Sequence, residues 1–448
     1  MAASRFVVDI LPLNGTQGPS AYNPTKGRRL QTSSYSPPSG NIVQLIPTLF
    51  FADGHRPDTV GRRLISRRIP VSQTKTYRVA VVGGAGMWGR HYLRAFAENP
   101  RCQIIGLVDR AAERRRQFAD HYGIGAEYQY DDLKDLLARE IPDAVAAILP
   151  VDHTVEAVIT CARAGVKAIT CEKPIAVELS RADEAVRICR QHGTALGCGT
   201  ALWEVPFLDA TADWVAAGNI GELTGAAIPG GLPVEVSGAG CVQLTQLRLL
   251  SGRQVEWVEG WALPPEDGWS GPEGASPEEI DSPAYGRLGL EGGIVCQIPR
   301  PNSEGRVRCR VSLTGTDGRL WAQSPQPVLI QGTGPTATPV YPDFLEQERP
   351  MRSMGQRVAD LVHALDEDLS EIPCSGHDYR QALEIALALK LSASQGHRRV
   401  HLPLQDRQRR IYPHPYRLQG GDVAGYESIG YAGPPEVETR PRRKRRSR

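Results

Sequence analysis

The sequence contains no apolar run of about 18 residues, which is the length that a membrane-spanning helix needs. Its N-terminus has no secretory signal pattern, because Asp9 interrupts the short apolar run that begins at Phe6 and no longer run follows. The nine cysteines form no C-x-x-C pair, which argues against a zinc site and against a disulfide framework. These absences predict a cytoplasmic protein with reduced, mostly buried thiols and no membrane partner.

Neither sign of charge is in excess, since the 448 residues carry a net charge of +2, but the charge is unevenly distributed. Residues 1–75 are rich in Pro, Ser, Gly and Arg and show no periodic pattern. This composition predicts a disordered basic leader. An organelle transit peptide has a similar composition, but a flexible arm or an upstream start site is the favoured explanation. Residues 406–448 end in a basic block, which predicts an extended, solvated tail without a specific nucleic-acid partner.

The most informative stretch lies between these ends, from Tyr77 to Asp109. A β-branched apolar run predicts a buried strand, and apolar residues at helical spacing follow it. Between this strand and this helix, Gly84, Gly86 and Gly89 have the spacing G-x-G-x-x-G. A second apolar strand ends at Asp109, 25 residues beyond Gly84.

This order of strand, glycines, helix, strand and acid predicts a dinucleotide-binding Rossmann unit. The glycines allow a tight turn, a close approach of the pyrophosphate and close helix–strand packing, and the helix N-terminus attracts the phosphates. We expect Met87 and Trp88 of the same loop to contact the cofactor. Asp109 favours NAD, since a carboxylate binds the ribose hydroxyls and repels a 2′-phosphate, whereas Arg110 beside it leaves NADP open.

The alternation of strands and helices continues to about residue 199, and two further strand ends carry polar groups. One strand ends at Pro150, shortly before His153, and the next ends at Glu172 and Lys173. Because loops after parallel strands line the ligand crevice, these four residues should face the cofactor. His153 titrates near neutrality and is a candidate for proton transfer, although a structural hydrogen bond at a helix start explains it equally well.

The motifs resemble those of the glucose–fructose oxidoreductase/inositol dehydrogenase (Gfo/Idh/MocA) family. The resemblance covers roughly residues 77–405 and is carried by these stretches: the glycine loop, Asp109, Pro150 to His153, Glu172-Lys173-Pro174, Ile220-Gly-Glu-Leu223 and Arg399-Val-His-Leu-Pro403. The Glu-Lys-Pro triplet is the most specific of them.

The resemblance implies an α/β protein with an N-terminal Rossmann domain, residues 76–199, and a C-terminal α+β domain, residues 200–405. The second domain is expected to contain a large, mostly antiparallel open sheet, which the β-like runs at 285–297 and 306–314 fit. Its last helices are expected to pack back on the first domain. Such a sheet often forms the oligomer interface, which implies a dimer or tetramer.

The resemblance also implies NAD(P)-dependent hydride transfer to or from a sugar, a cyclitol or a related polyol. Lys173 matches the lysine that lies near nicotinamide and substrate in active relatives. An ammonium there stabilises developing negative charge or, once desolvated, exchanges a proton. Glu172 is expected to orient Lys173 or to bind the nicotinamide ribose, and the Lys173–Pro174 bond is a candidate for the cis form.

One family motif is missing. Relatives commonly carry His-x-x-Asp on the helix that begins the substrate domain, and this chain has Val242 and Thr245 at the corresponding positions. Neither side chain moves a proton at neutral pH. Gln243 and Gln246 share a helix face and are substrate-binding candidates, although solvation of the helix surface explains them equally well. Glu204, just after the strand that leads out of the first domain, is a further candidate.

Three hypotheses follow. The first is an NAD(P)-dependent oxidoreductase in which Lys173 is central. The second is a nicotinamide-binding protein without dehydrogenase activity that acts as a sensor or scaffold, which the missing His-x-x-Asp favours. The third is an enzyme of another class that holds NAD tightly as an internal redox helper, as some relatives do in glycoside cleavage.

Overall fold

A computed structural model describes residues 75–198, 205–265, 268–301, 309–347, 354–426 and 433–437 of the chain. The predicted leader lies outside the described residues except for its last residue, and so does the basic block at the C-terminus. The substrate candidate Glu204 also lies outside them. No helix within the described ranges combines the length and the hydrophobicity that a bilayer crossing requires.

Six parallel strands form the first sheet, in the order β3-β2-β1-β4-β5-β6. Their bounds are β1 Tyr77–Val82, β2 Cys102–Val108, β3 Gln129–Tyr130, β4 Ala144–Ala147, β5 Ala168–Cys171 and β6 Ala195–Cys198. Alternate residues of β1 belong to different cores, since Ala80 and Val82 pack on one face of the sheet and Val79 and Val81 on the other. A strand buried on both faces must be apolar throughout, which explains the continuous apolar run at this position.

Helices on both faces connect these strands, as in a Rossmann domain. They are α1 Gly89–Glu98, α2 Ala112–Tyr122, α3 Leu133–Arg139, α4 Val151–Ala164 and α5 Leu179–Gln191. Asp132 caps the N-terminus of α3, and its side chain accepts a hydrogen bond from the Lys134 amide at 2.8 Å. Helix α2 ends at Gly123, which takes the left-handed conformation (φ 65°).

The second sheet has nine strands in the order β14-β13-β12-β11-β7-β10-β9-β8-β15. Their bounds are β7 Leu223–Ala227, β8 Val255–Ala262, β9 Ala284–Leu290, β10 Ile294–Ile298, β11 Cys309–Gly315, β12 Gly318–Gln323, β13 Val328–Gln331, β14 Thr338–Pro339 and β15 Val400–His401. Only the β7–β10 pair is parallel among these described strands. The predicted fold class, a Rossmann sheet plus a large, mostly antiparallel sheet, is therefore confirmed.

The run at 285–297, predicted as one β-like stretch, is two strands. Gly292 and Gly293 both have positive φ (81° and 76°) and turn the chain from β9 into β10. A Gly-Gly pair is a hairpin signal, because both residues reach conformations that side chains disfavour. Strand β11 alternates buried and half-buried residues, as its polar–apolar pattern predicts.

The remaining described helices are α6 Leu208–Ala216, α7 Cys241–Ser251, α8 Met354–Glu367, α9 Gly376–Ser394, α10 Pro415–Gln419 and α11 Gly421–Ala424. Of these, α9 connects the two sheets. At the start of α9, Gly376 lies against Leu196 of the first sheet. Near its end, Leu389 lies against Gly260 of the second sheet, where an added Cβ would be 2.6 Å from the leucine Cδ2. A helix at the end of the second domain thus packs back on the first sheet.

Residues 406–426, here called the C-terminal segment, do not extend into solvent as the tail prediction has it. Arg407 pairs with Asp183 at 2.6 Å, and Arg410 pairs with Glu178 at 2.9 Å. Ile411, directly after Arg410, is fully buried. The arginines that suggested a solvated tail therefore meet acids of α5 and the turn before it, far away in the chain, and the apolar residues among them add to the core.

Candidate functional site

A cavity of about 410 Å³ lies at the carboxyl ends of the strands in the first sheet. On one side it is lined by most of the predicted cofactor residues, namely Gly86, Met87, Trp88, Gly89, Asp109, Arg110, Pro150, His153, Glu172 and Lys173. The opposite side is formed by the C-terminal segment, through Tyr416, Arg417, Gln419, Gly420, Gly421, Asp422, Val423 and Tyr426. The sequence analysis predicted the first side and missed the second.

The glycines of the loop have separate roles. Gly83, which the G-x-G-x-x-G spacing leaves out, makes the tight turn with φ 76°. A Cβ on Gly89 would overlap the carbonyl oxygen of Gly83, so α1 approaches β1 only because Gly89 has no side chain. A Cβ on Gly86 would meet only the Gly83 oxygen, at 3.1 Å. Gly84 is buried behind the loop, against Leu107, and is not among the residues that line the cavity.

Asp109 follows β2 and is joined to the glycine loop by hydrogen bonds. Its Oδ2 accepts one from the Ala85 amide at 3.0 Å, and its Oδ1 accepts one from the Ala111 amide at 2.9 Å. Burial raises the pKa of this carboxyl, while the two amide hydrogen bonds oppose the rise. The exposed Arg110 lies beside it, and Arg114 pairs with Asp422 of the C-terminal segment at 2.6 Å.

Pro150 and His153 lie at the start of α4, as predicted. The His153 amide donates a hydrogen bond to the Pro150 carbonyl at 2.9 Å, and the exposed His153 ring borders the cavity. The C-terminal segment passes close by, since an added Cβ on Gly420 would lie 2.9 Å from Pro150 Cγ. A side chain at Gly420 would therefore push the segment off the strand end.

Glu172 and Lys173 follow β5. Both Glu172 oxygens are used by the protein, because Oε1 accepts from the Tyr92 hydroxyl at 3.1 Å and Oε2 accepts from the Lys173 amide at 3.3 Å. The buried Glu172 thus holds the backbone of its neighbour, and its expected role in orienting Lys173 stays a prediction. The Lys173–Pro174 peptide bond is cis, which confirms that prediction.

Lys173 has an unusual electrostatic environment. Burial lowers the pKa of its ammonium, and the Arg417 guanidinium lowers it further, whereas Glu172 and Glu235 act in the opposite direction. Among the described residues, no side chain or carbonyl accepts a hydrogen bond from Lys173 Nζ. This ammonium is therefore available to whatever the cavity binds.

Arg417 enters the site from the C-terminal segment. Its Nε donates to Glu235, whose side chain is 1% exposed and whose Oε2 also accepts from the His414 amide at 2.8 Å. Gly238 leaves room for this pair, since a Cβ there would lie 2.6 Å from Arg417 Nε. The sequence does carry a signal for this residue, because the aromatic and proline-rich run just before Arg417 is unlike a solvated tail.

Comparison with known proteins identifies the first domain. Residues 77–200 match the family model described as "Oxidoreductase family, NAD-binding Rossmann fold" (Gfo/Idh/MocA). This match to the Gfo/Idh/MocA model covers the first domain, 124 of the 448 residues.

Its curated relatives include the 2,7-anhydro-N-acetylneuraminate hydratase of Mediterraneibacter gnavus, which is 34% identical over 125 residues, 28% of this chain and 32% of that protein. The dTDP-3,4-didehydro-2,6-dideoxy-alpha-D-glucose 3-reductase of Streptomyces violaceoruber is 30% identical over 149 residues, 33% of this chain and 42% of that protein. The matches thus span about a third to two fifths of these relatives.

A solved structure extends the likeness to the second sheet. The aldose-aldose oxidoreductase of Caulobacter crescentus, crystallised with glycerol, superposes with a TM-score of 0.59 at 19% identity, over 73% of this chain and 100% of that one. At this identity the likeness concerns the fold alone.

Helix α7 contributes little to the cavity. Val242 and Thr245, which stand where relatives commonly carry His-x-x-Asp, are 5% and 1% exposed. The substrate candidates Gln243 and Gln246 are buried as well, and neither is among the described residues that line the cavity. Cys241, at the start of α7, is buried, and burial raises the pKa of its thiol to about 12, which keeps it protonated.

Proposed function

We propose that this chain is an NAD-dependent oxidoreductase that transfers a hydride between the nicotinamide and a sugar, a cyclitol or a related polyol. The observation that carries the proposal is one cavity that brings together a glycine loop, an acid at the end of β2 and Lys173, whose ammonium donates to no acceptor among the described residues. The family of the first domain and the sugar reductase among its relatives support the same reaction class.

The residues present fit a dinucleotide. An added Cβ on Gly86 would come close to one described protein atom, the Gly83 oxygen at 3.1 Å. The absence of a side chain therefore leaves the backbone open to a pyrophosphate. The start of α1 adds amide groups and the positive end of a helix dipole. Asp109 lies where a ribose hydroxyl would bind and would repel a 2′-phosphate, which favours NAD over NADP.

Lys173 is the group proposed to handle the proton. Oxidation of an alcohol removes a hydride, with both electrons, from carbon and a proton from the hydroxyl oxygen, and NAD held at the glycine loop would supply the hydride acceptor. With its lowered pKa, Lys173 in its neutral form accepts that proton, and in the reverse direction its ammonium donates it. Glu172 holds the Lys173 backbone in place during both steps. His153 at the border of the cavity is proposed to pass the proton to solvent.

The proposal is tested by calorimetric titration of the protein with NAD and with NADP. We expect NAD to bind more tightly, and Asp109→Ala to weaken NAD binding about tenfold or more, since hydrogen bonds to charged groups contribute about 1.5–3 kcal/mol. The same change should improve the relative affinity for NADP, whereas damage to the loop would weaken both nucleotides equally. Asp120→Ala, on the exposed side of α2, is the control. Failure of both nucleotides to bind would refute the proposal.

A second candidate is a nicotinamide-binding protein without dehydrogenase activity. The observation that favours it lies in α7. The buried Val242 and Thr245 stand at the positions of the missing His-x-x-Asp motif, and neither side chain transfers a proton. The two candidates differ in turnover: the oxidoreductase forms NADH with at least one member of a polyol panel. The sensor or scaffold binds NAD with the same Asp109 dependence and forms none.

A further inference from the structure

The cavity contains hydrogen-bond donors that the protein itself does not use. Among the described residues, Glu235 alone accepts a hydrogen bond from the Arg417 side chain, and it does so from Nε. The two terminal guanidinium nitrogens and Lys173 Nζ have no protein acceptor within these ranges. Both side chains line the same cavity, and they are close enough for Arg417 to lower the pKa of Lys173.

The acidic groups beside these cations are already engaged. Glu235 accepts from Arg417 Nε and from the His414 amide, and Glu172 accepts from the Tyr92 hydroxyl and the Lys173 amide. The donors of Lys173 and Arg417 therefore remain without a described protein acceptor, while the nearby carboxylates already accept other hydrogen bonds. A site of this kind is incomplete without an anion.

Arg417 is held firmly enough to select its ligand. Glu235 fixes its Nε, and the Tyr416 hydroxyl next to it reaches Met87 Sδ in the glycine loop at 3.0 Å. A guanidinium anchored through Nε presents its two terminal nitrogens as a planar fork, which matches the two oxygens of a carboxylate.

We propose that Arg417 binds a carboxylate of the substrate, so that this enzyme acts on a sugar acid or another polyhydroxy carboxylate rather than on a neutral polyol. Lys173 then contacts the hydroxyl oxygen that reacts, and the C-terminal segment determines specificity. This inference rests on the proposed oxidoreductase function and adds the chemical class of its substrate.

The test compares acids with neutral partners of the same carbon skeleton on NAD-saturated protein. The probes are D-gluconate against D-glucitol, D-glucuronate against D-glucose, and L-tartrate against L-threitol, measured by calorimetry and by NADH formation. We expect the acid of at least one pair to bind at least tenfold more tightly than its neutral partner. In Arg417→Met, the ratio of the affinity for the acid to the affinity for its neutral partner should fall to about one. Where turnover is measured, the change should appear mainly in KM.

Two further variants separate specificity from folding. Arg417→Met leaves Glu235 buried without its cation, so the double change Glu235→Gln with Arg417→Met is made alongside it and should show the same loss of preference. Arg410→Met, which removes an arginine of the same segment that does not line the cavity, should retain the preference.

Three outcomes would overturn the inference: a neutral partner that binds as tightly as its acid in every pair, an equal loss for both members in the double variant, or no binding of any acid. Failure of the native protein to bind NAD would instead refute the proposed function, and NAD binding is measured separately in the same titrations.

Discussion

Lys173 combines two influences that act in the same direction, burial and the nearby positive charge of Arg417. Both disfavour the charged ammonium, whereas Glu172, Cys241 and Glu235 favour it. A lowered pKa makes the neutral amine available at a pH closer to neutrality than for an ordinary lysine. This is the property that a proton acceptor for an alcohol requires.

We predict that the pH at which Lys173 becomes half-reactive lies below 10.5, the ordinary value of a lysine pKa, and rises in Arg417→Met. The reason is that removing the guanidinium charge removes one of the two effects that lower the pKa. The measurement is the pH dependence of Lys173 acetylation by acetic anhydride, followed by mass spectrometry. Exposed Lys167 in the same digest is the control and should respond equally in both proteins. A shift of the Lys173 curve to lower pH in Arg417→Met would contradict the conclusion that the Arg417 charge lowers the pKa of Lys173.

At the scale of elements, the β1–loop–α1 unit contains glycines with distinct functions. At Gly89 the missing side chain serves packing, because a Cβ would overlap the backbone of the loop. At Gly86 an added Cβ would meet only the Gly83 oxygen, at 3.1 Å, and we infer that the missing side chain there serves a dinucleotide rather than packing.

We therefore predict that Gly89→Ala lowers the free energy of unfolding by about 1–3 kcal/mol or more, the range typical of overpacked sites. Gly86→Ala should change it by less than about 1 kcal/mol and should weaken NAD binding more than tenfold. Urea unfolding and calorimetric NAD titration of the two variants provide both quantities. Equal effects of both changes on both quantities would show that the two glycines do not have separate roles.

The same unit shows what can be predicted from sequence. Its strand, turn and helix follow from apolar periodicity and glycine spacing, which are local properties, and the strand-end position of Asp109 follows from the next strand. The aromatic and proline-rich run before Arg417 is a local signal of a packed segment, but it does not place Arg417 in the site, because its partner Glu235 is 182 residues away in the chain. Local composition predicted a basic tail for the C-terminal segment, because the acids that pair with its arginines come close to it only in the folded protein.

Helix α7 illustrates a second limit. The spacing of Gln243 and Gln246 predicts a shared face, but spacing does not say which direction that face takes. Both side chains are buried in the structure, away from the cavity. A helix covered by neighbours on several sides has no solvent face to distinguish, so its sequence pattern carries no directional information.

At the scale of the molecule, the two sheets are joined through α9. The start of this helix packs on Leu196 of the first sheet, and Leu389 near its end packs on Gly260 of the second. The C-terminal segment adds further links, since Arg407 pairs with Asp183 of α5 and with Glu384 of α9. Connections of this kind favour unfolding of both sheets together, because neither retains its cover when α9 leaves.

We predict a single calorimetric unfolding transition that NAD shifts upward as a whole, because a ligand that binds only the native state stabilises everything that unfolds with its site. Leu389→Ala should destabilise this transition by about 3–5 kcal/mol, since Leu389 is fully buried and truncation leaves a cavity. Val423→Ala, at a residue 72% exposed, is the control and should leave the transition unchanged when it is measured without NAD. Two resolved transitions, with NAD moving one and Leu389→Ala moving only the other, would mean that the sheets unfold independently. The site would then depend on the C-terminal segment alone to bring Arg417 to the Rossmann sheet.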